Sequence, residues 1–294
     1  MTKADINEES LLKRLRKPLT RRQALGCLGA VFGPPLLASI YGFGIEPQIP
    51  EVEQVTLSLR GFPGKLRAVH ISDLHIHREN RLMTRVADLI REFEPDCIFL
   101  TGDLVESDSE TDICLHWLSG LEAKAGIYFA PGNWEHWSGS LENNLSQKLA
   151  SIGVKTLFNS GRIMNWGDGH WFLGGIDDAY YGSPDIKRAL EGRPERTCTV
   201  LLSHSPVGAY LTQSYRCDLV LSGHTHGGQV RLPRYGAIKT PPGSGPFEMG
   251  LYHLRRTKLY VNRGIGNSVF PIRLFCPPEV TYLTILPSGD GRGA

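Results

Sequence analysis

Five times along this chain a short apolar run stops at a cluster of Asp, His, Asn and Gly. Residues 67–71 lead into Ser72-Asp73-Leu74-His75, residues 97–100 into Gly102-Asp103, and residues 127–130 into Pro131-Gly132-Asn133. Residues 197–202 lead into Ser203-His204, and residues 218–221 into Gly223-His224-Thr225-His226. Runs this short, bounded by turn residues, read as buried strands rather than helices or membrane spans. In an open α/β sheet, ligands collect outside the carboxyl ends of the strands. A chain of this pattern therefore gathers carboxylates, imidazoles and an amide at one edge of its sheets.

Amphipathic stretches separate the early runs. Asn80 can cap a helix whose apolar face is Leu82, Val86, Leu89, Ile90 and Phe93. Further helices are expected over 111–121 and 141–152, with a short one over 207–213. Strands are expected near 154–158, 163–166, 171–176, 229–232, 258–262 and 280–286. Residues 46–66 are rich in Pro and Gly around an alternating stretch, 52–59, which reads as a linker leading into an edge strand or hairpin. This alternation is α/β. Its strand-rich second half predicts two stacked mixed β-sheets flanked by helices. No internal repeat or low-complexity tract interrupts the pattern.

Composition narrows the class. At 294 residues, with 41% hydrophobic and 21% charged residues, the chain can bury a sizeable core and is not disordered. Residues 1–22 hold seven Lys/Arg against three acids, a local +4 that leaves −2 for residues 23–294. The folded part lacks the basic excess of a nucleic-acid-binding protein, so no nucleic-acid partner is expected. The basic stretch precedes an apolar run over 24–45, the order of an export signal. Arg21-Arg22 at the junction is similar to a twin-arginine signal. Residues 1–45 are therefore expected to form an apolar leader helix that directs export or anchors the chain. If the leader spans a bilayer, the body, residues 46–294, lies on the extracytoplasmic side, associated with the membrane. Six cysteines without a C-x-x-C pair read as free, buried thiols rather than a disulfide framework.

Carboxylate oxygens and imidazoles without thiolates suit Mn²⁺, Zn²⁺ or Fe. A carboxylate between two such clusters can bridge two cations. Two cations so placed clamp a phosphoryl group and supply a hydroxide nucleophile at neutral pH. At this point the chain resembles the calcineurin-like metallophosphoesterases, whose pattern is D-x-H, G-D, G-N-H-[D/E], a lone H, and G-H-x-H. Here these read Asp73-Leu74-His75, Gly102-Asp103, Gly132-Asn133-Trp134-Glu135, His204 and Gly223-His224-Thr225-His226. The resemblance covers about residues 46–290. It implies a four-layer αββα sandwich and two divalent metal ions. By position, Asp73, His75 and His226 would hold the first ion, Asn133, His204 and His224 the second, and Asp103 would bridge them at the heart of catalysis. The stretches around His204, around 222–229 and around 262–266 look like a bacterial membrane-associated branch. That branch includes phosphodiesterases and enzymes similar to UDP-2,3-diacylglucosamine pyrophosphatases.

One position departs from the pattern. Trp134 stands where the family has a His that stabilises the transition state or protonates the leaving oxygen, and indole offers one N–H and no acid. Three explanations stand side by side: His136 supplies the proton, the leaving group needs none, or catalysis is weak. Trp134 and Arg273 are the candidate substrate-binding residues. Asp177-Asp178 reads as a structural turn. Trp137, Trp166 and Tyr180-Tyr181 read as packing, with an apolar wall for an acyl chain as the sharper alternative. The expected activity is hydrolysis of phosphodiester or pyrophosphate bonds in envelope or lipid-linked substrates. The competing reading is a metal-bearing envelope-binding protein without turnover.

Overall fold

A computed structural model describes residue 33 and residues 35–288. The chain divides into two compact units, residues 1–41 and 42–294. In the first, residues 35–40 are helical; the greater part of the expected 1–45 leader lies outside the described residues. Among the described residues no helix is long and apolar enough to cross a membrane.

The second unit begins with strands β1 (Glu51–Arg60) and β2 (Leu66–Ile71), helix α1 (Arg81–Phe93), β3 (Cys97–Thr101) and helix α2 (Thr111–Ser119). It continues through β4 (Gly126–Ala130), α3 (Asn133–Trp137), α4 (Leu145–Ser151), β5 (Val154–Thr156), β6 (Ser160–Trp166), β7 (Gly169–Gly175) and α5 (Ile186–Ala189). Strands β8 (Thr199–Leu202), β9 (Leu219–Ser222), β10 (Arg231–Leu232), β11 (Gly236–Ala237), β12 (Gly250–Leu254), β13 (Thr257–Val261) and β14 (Glu279–Ser288) follow. Two six-stranded mixed sheets result, ordered β1-β14-β2-β3-β4-β5 and β12-β13-β9-β8-β7-β6, with β10-β11 a separate small ribbon.

Alternation along the central strands builds the layers. In β2 and β3, Leu66, Ala68, Cys97 and Phe99 face the core between the sheets, where they meet Val200, Leu202, Leu219 and Leu221 of β8 and β9. The intervening Val69, Ile71, Ile98 and Leu100 pack under α1 and α2 with Val86, Ile90 and Leu118. On the far face of the second sheet, Leu201 and Val220 pack with Ile186, Ala189 and Ala209. The layers are thus helix, sheet, sheet, helix, although the second outer layer is thin: a four-residue α5 and a 3₁₀ segment, Pro206–Ser214. The five described cysteines are free and buried, as expected.

Several local expectations are refined. Residues 52–59 belong to an edge strand, β1, paired parallel to β14 from Glu51↔Glu279 to Arg60↔Ser288. Its exposed Glu51, Glu53 and Arg60 discourage pairing with another chain. The helix expected over 141–152 begins at Leu145, because Gly139 (φ 71°) and Asn144 (φ 64°) take left-handed backbone and break it from α3. Strand β12, a weakly alternating edge, lies outside every strand expected from sequence.

Candidate metal centre

Strands β2, β3 and β4 run parallel in the first sheet, and β8 and β9 run parallel in the second. The turns at their carboxyl ends are stitched to one another. Asp73 N–H donates to Gly102 O and His75 N–H to Asp103 O, both at 3.1 Å. His224 N–H donates to the two Asp73 carboxylate oxygens at 3.1 and 3.0 Å, joining the sheets. Asp73, His75, Asp103, His224 and His226 all have positive φ, between 43° and 69°. Asp and His are among the few side-chain-bearing residues that tolerate this region, and held strain of this kind collects at functional sites. Two glycines permit the approach: a Cβ on Gly132 would lie 2.3 Å from Asp103 Oδ1, and one on Gly223 would lie 1.8 Å from Ser72 Oγ.

The turns bring six side chains into two buried groups, Asp73 with His75 and His226, and Asp103 with His204 and His224. Within each group, one ligand atom from every residue lies within 4.8 Å of the others. His75 Nε2 and His226 Nε2 are 3.3 Å apart, with Asp73 Oδ1 3.3 Å from the latter. His204 Nε2 lies 3.2 Å from His224 Nδ1, 3.1 Å from Asp103 Oδ2 and 3.2 Å from Asn133 Oδ1, so the amide joins the second group. Asp103 Oδ2 also stands 3.9 Å from His75 Nε2, between the groups. The structure thus brings together all seven ligand positions read from sequence.

The donor set fits cations. His204 Nδ1 faces Thr101 O at 2.7 Å and His224 Nε2 faces Pro242 O at 2.6 Å. A carbonyl only accepts, so those nitrogens carry the hydrogens and the opposite nitrogens are bare. Two bare nitrogens, a carboxylate oxygen and an amide oxygen then converge with only lone pairs between them. Such an arrangement is repulsive without positive charge in its midst. Burial and the neighbouring charges move the ring pKa values in opposite directions. Burial lowers the pKa of His204, but the Asp103 and Asp73 carboxylates outweigh it and hold it well above the usual value. Burial also opposes the rise at His75, where Glu106, Asp103 and Asp73 prevail. Burial, then His204, lowers His224; burial, then His75 and Arg273, lowers His226 well below the ordinary value.

Residues behind the ligands, unassigned from sequence, fix them. Glu135 is fully buried, and its carboxylate accepts N–H from Asp103, Leu104 and Gly132 at 2.9, 2.7 and 2.7 Å. Burial and the Asp103 charge raise its pKa to about 7, against those three bonds. Glu106 Oε1 stands 3.1 Å from His75 Nδ1. Asp178 accepts the N–H groups of Tyr180 and Tyr181 and the hydroxyl of Ser205, so the expected turn is present. These roles depend on partners about thirty residues away in sequence, except within the Asp178 turn and for the Gly132 N–H on Glu135.

The other sequence candidates divide. Trp134 donates its backbone N–H to Asp103 Oδ1 at 2.9 Å, and its ring meets His75 edge-on at 5.9 Å. His136 is hydrogen-bonded through Nε2 to Asp177 Oδ1 at 2.7 Å and lies beside Tyr181. Arg273 is corrected: it is fully buried and donates to the carbonyls of Cys276, Arg263, Gly264 and Gly266. A fully buried guanidinium that clasps its own loop is not open to a substrate phosphate.

The profile of the calcineurin-like phosphoesterase family matches residues 66–228. The metallophosphoesterase YkuE of Bacillus subtilis (strain 168) is 33% identical over 284 residues, covering 92% of this chain and 98% of that protein. Phosphodiesterase YaeI of Escherichia coli (strain K12) is 31% identical over 75% of this chain and 82% of its own length. A transmembrane protein with metallophosphoesterase domain from Bos taurus is 31% identical over 90% of this chain, which spans 64% of that longer relative. The chain belongs to the calcineurin-like phosphoesterase family of metal-dependent phosphoester hydrolases.

Proposed function

We propose that the protein hydrolyses phosphodiester or pyrophosphate bonds with two divalent cations, and that it acts from an exported, membrane-associated position on envelope or lipid-linked phosphates. The observation that carries the hydrolytic reading is Asp103 Oδ2, set 3.1 Å from His204 Nε2 and 3.9 Å from His75 Nε2, within reach of both ligand groups. When bound, two divalent cations would neutralise phosphoryl oxygens and activate water. Asp73, His75 and His226 would hold one, Asn133, His204 and His224 the other, and Asp103 both.

The chain's own residues account for the rest. Glu135 keeps the Asp103 turn in place through three backbone N–H groups. Trp134 excludes water beside His75. His136, one helical turn beyond Asn133 and oriented by the buried Asp177 carboxylate, is the group suited to give a proton to the leaving oxygen. In this reading it supplies the proton that indole at position 134 cannot. A phosphodiester substrate also accords with the activity named for YaeI, and the basic and apolar leader sequence favours the membrane-associated setting.

The test is turnover of bis(p-nitrophenyl) phosphate and of a nucleotide-diphospho-lipid by the chain loaded with Mn²⁺, Zn²⁺ or Fe. Hydrolysis that disappears in Asp103→Asn is the expected result; folded, metal-loaded protein inert on both substrates would refute it. The packing of Trp134 on His75 favours one rival, a metal-bearing binding protein. A large rate gain in Trp134→His would identify a crippled enzyme instead of specialised chemistry.

A further inference from the structure

The most exposed large apolar side chains of the second unit lie on the β10-β11 ribbon, the residue after it, and the 267–275 loop. Tyr235 is 87% exposed, Val269 79%, Phe270 66% and Ile238 63%, with Phe275 and Leu232 also open to solvent. Such residues are costly to leave in water, and a contiguous apolar face marks an interaction surface. Here they are contiguous. Leu232, Tyr235 and Phe275 line one cavity of about 450 Å³ with Arg231 and Arg234. The β10-β11 ribbon is bonded to the 267–275 loop through Arg231 N–H to Leu274 O and Leu274 N–H to Gln229 O. Gln229 Nε2 donates further to Phe270 O and Ile272 O at 3.0 and 3.1 Å.

Three features identify the occupant. The first is charge: residues 229–250 hold Arg231, Arg234 and Lys239 against Glu248 alone. The second is where the chain enters this unit. Gly42 O accepts the Arg273 N–H, and Glu46 accepts the N–H groups of Phe275 and Cys276, so residues 42–46, where the apolar 24–45 sequence ends, are bonded to this face. The third is the neighbouring cavity of about 210 Å³, where Val269, Phe270 and Pro271 stand across from His75, His77 and Glu106. The apolar face thus borders the first ligand group.

We infer that this face rests on an anionic phospholipid surface and that the substrate phosphate reaches the metal centre from the membrane plane. Apolar tips enter the headgroup boundary while the exposed Arg234 and Lys239 meet lipid phosphates, Arg231 being paired with Glu248 at 2.9 Å. A second copy of this chain is a poorer occupant, because it would set the same cationic rim against itself. The substrate clause rests on the hydrolytic reading above; the membrane contact does not.

The experiment uses the full chain with Cys27→Ser and Val269→Cys, labelled with an environment-sensitive fluorophore, beside the same chain labelled through Glu122→Cys. Glu122 is exposed and precedes the amino end of β4, whereas the metal-binding turns follow the carboxyl ends of the strands. On phosphatidylglycerol vesicles carrying nitroxide lipids, the position-269 probe should shift to the blue and lose emission, while the position-122 probe changes little. An unchanged position-269 probe on vesicle-bound protein would overturn the inference. So would a blue shift that follows protein concentration without vesicles, which would assign the face to a dimer. Ester hydrolysis measured on the unlabelled chain separates the two readings: quenching without hydrolysis leaves the membrane face standing and the hydrolase reading fallen, and hydrolysis without quenching does the reverse.

Discussion

The two halves of the metal centre are held in different ways. In the Asp103, Asn133, His204 and His224 half, both imidazoles donate their outer N–H to backbone carbonyls, Thr101 O and Pro242 O. In the Asp73, His75 and His226 half, His75 faces a side chain, Glu106, whose carboxylate is part-exposed, and His226 Nδ1 is buried with no hydrogen-bond partner. Neither carbonyl, Thr101 O at the end of β3 or Pro242 O in the turn between β11 and β12, sits on a rotatable side chain, so each fixes tautomer and ring together; a glutamate can swing away. The second half is therefore preformed, whereas the first depends on a movable carboxylate beside the apolar loop. Cations should load in two steps, with the second half filling first and more tightly.

The largest effect should come from the one residue both halves share. Asp103→Asn is expected to cut phosphodiester turnover by well over about a hundredfold, beyond the losses typical of residues behind the ligands. It should also erase the two-step loading, as read by steady-state rates and calorimetric metal titration. A variant that kept its turnover would remove the bridge from the account.

Glu106→Ala should act on one half alone. The first-half cation should bind about 10–100-fold more weakly, while the second-half cation keeps its affinity. Equal weakening of both would show that the halves are not independently built.

Glu135→Gln sharpens the comparison from the protein side. An amide oxygen can replace only one carboxylate oxygen, leaving buried N–H groups of the Asp103 turn short of an acceptor, at a cost of about 1–3 kcal/mol. Chemical denaturation of the metal-free protein measures it. No change in stability would mean that the turn holds itself.

Acidity distinguishes the ring nitrogens. His75 and His204 have pKa values raised by their carboxylates, so protons compete with cations at these positions. Affinity should fall as pH drops through those raised values, beginning above the ordinary histidine value of about 6.5. The metal-free fold has the opposite sign. Its gain from these two protonated rings is complete below the unfolded-state value and is lost as pH rises through the raised folded values. Metal titrations and denaturation curves across that range check both slopes.

Much of this was legible in the chain because each ligand position ends a buried strand, and strand ends are where a parallel sheet places its chemistry. Asp73, His75, Asp103, Asn133, His204, His224 and His226 needed only that rule and the family pattern. Glu106 and Glu135 were silent because their work is done on N–H groups and imidazoles that folding brings to them. Arg273 misled for the same reason: an arginine outside any motif looks available until the 263–276 loop closes around it. The α3 helix was hidden by its five-residue length, and its Glu135 is part of what holds it.

The most direct measurement is a count of divalent cations bound per folded chain after reconstitution, followed across a metal titration. The account predicts two, taken up in sequence, with the weaker one shifted to about 10–100-fold higher metal concentration in Glu106→Ala. A chain that binds one cation or none, with its fold intact, would contradict it.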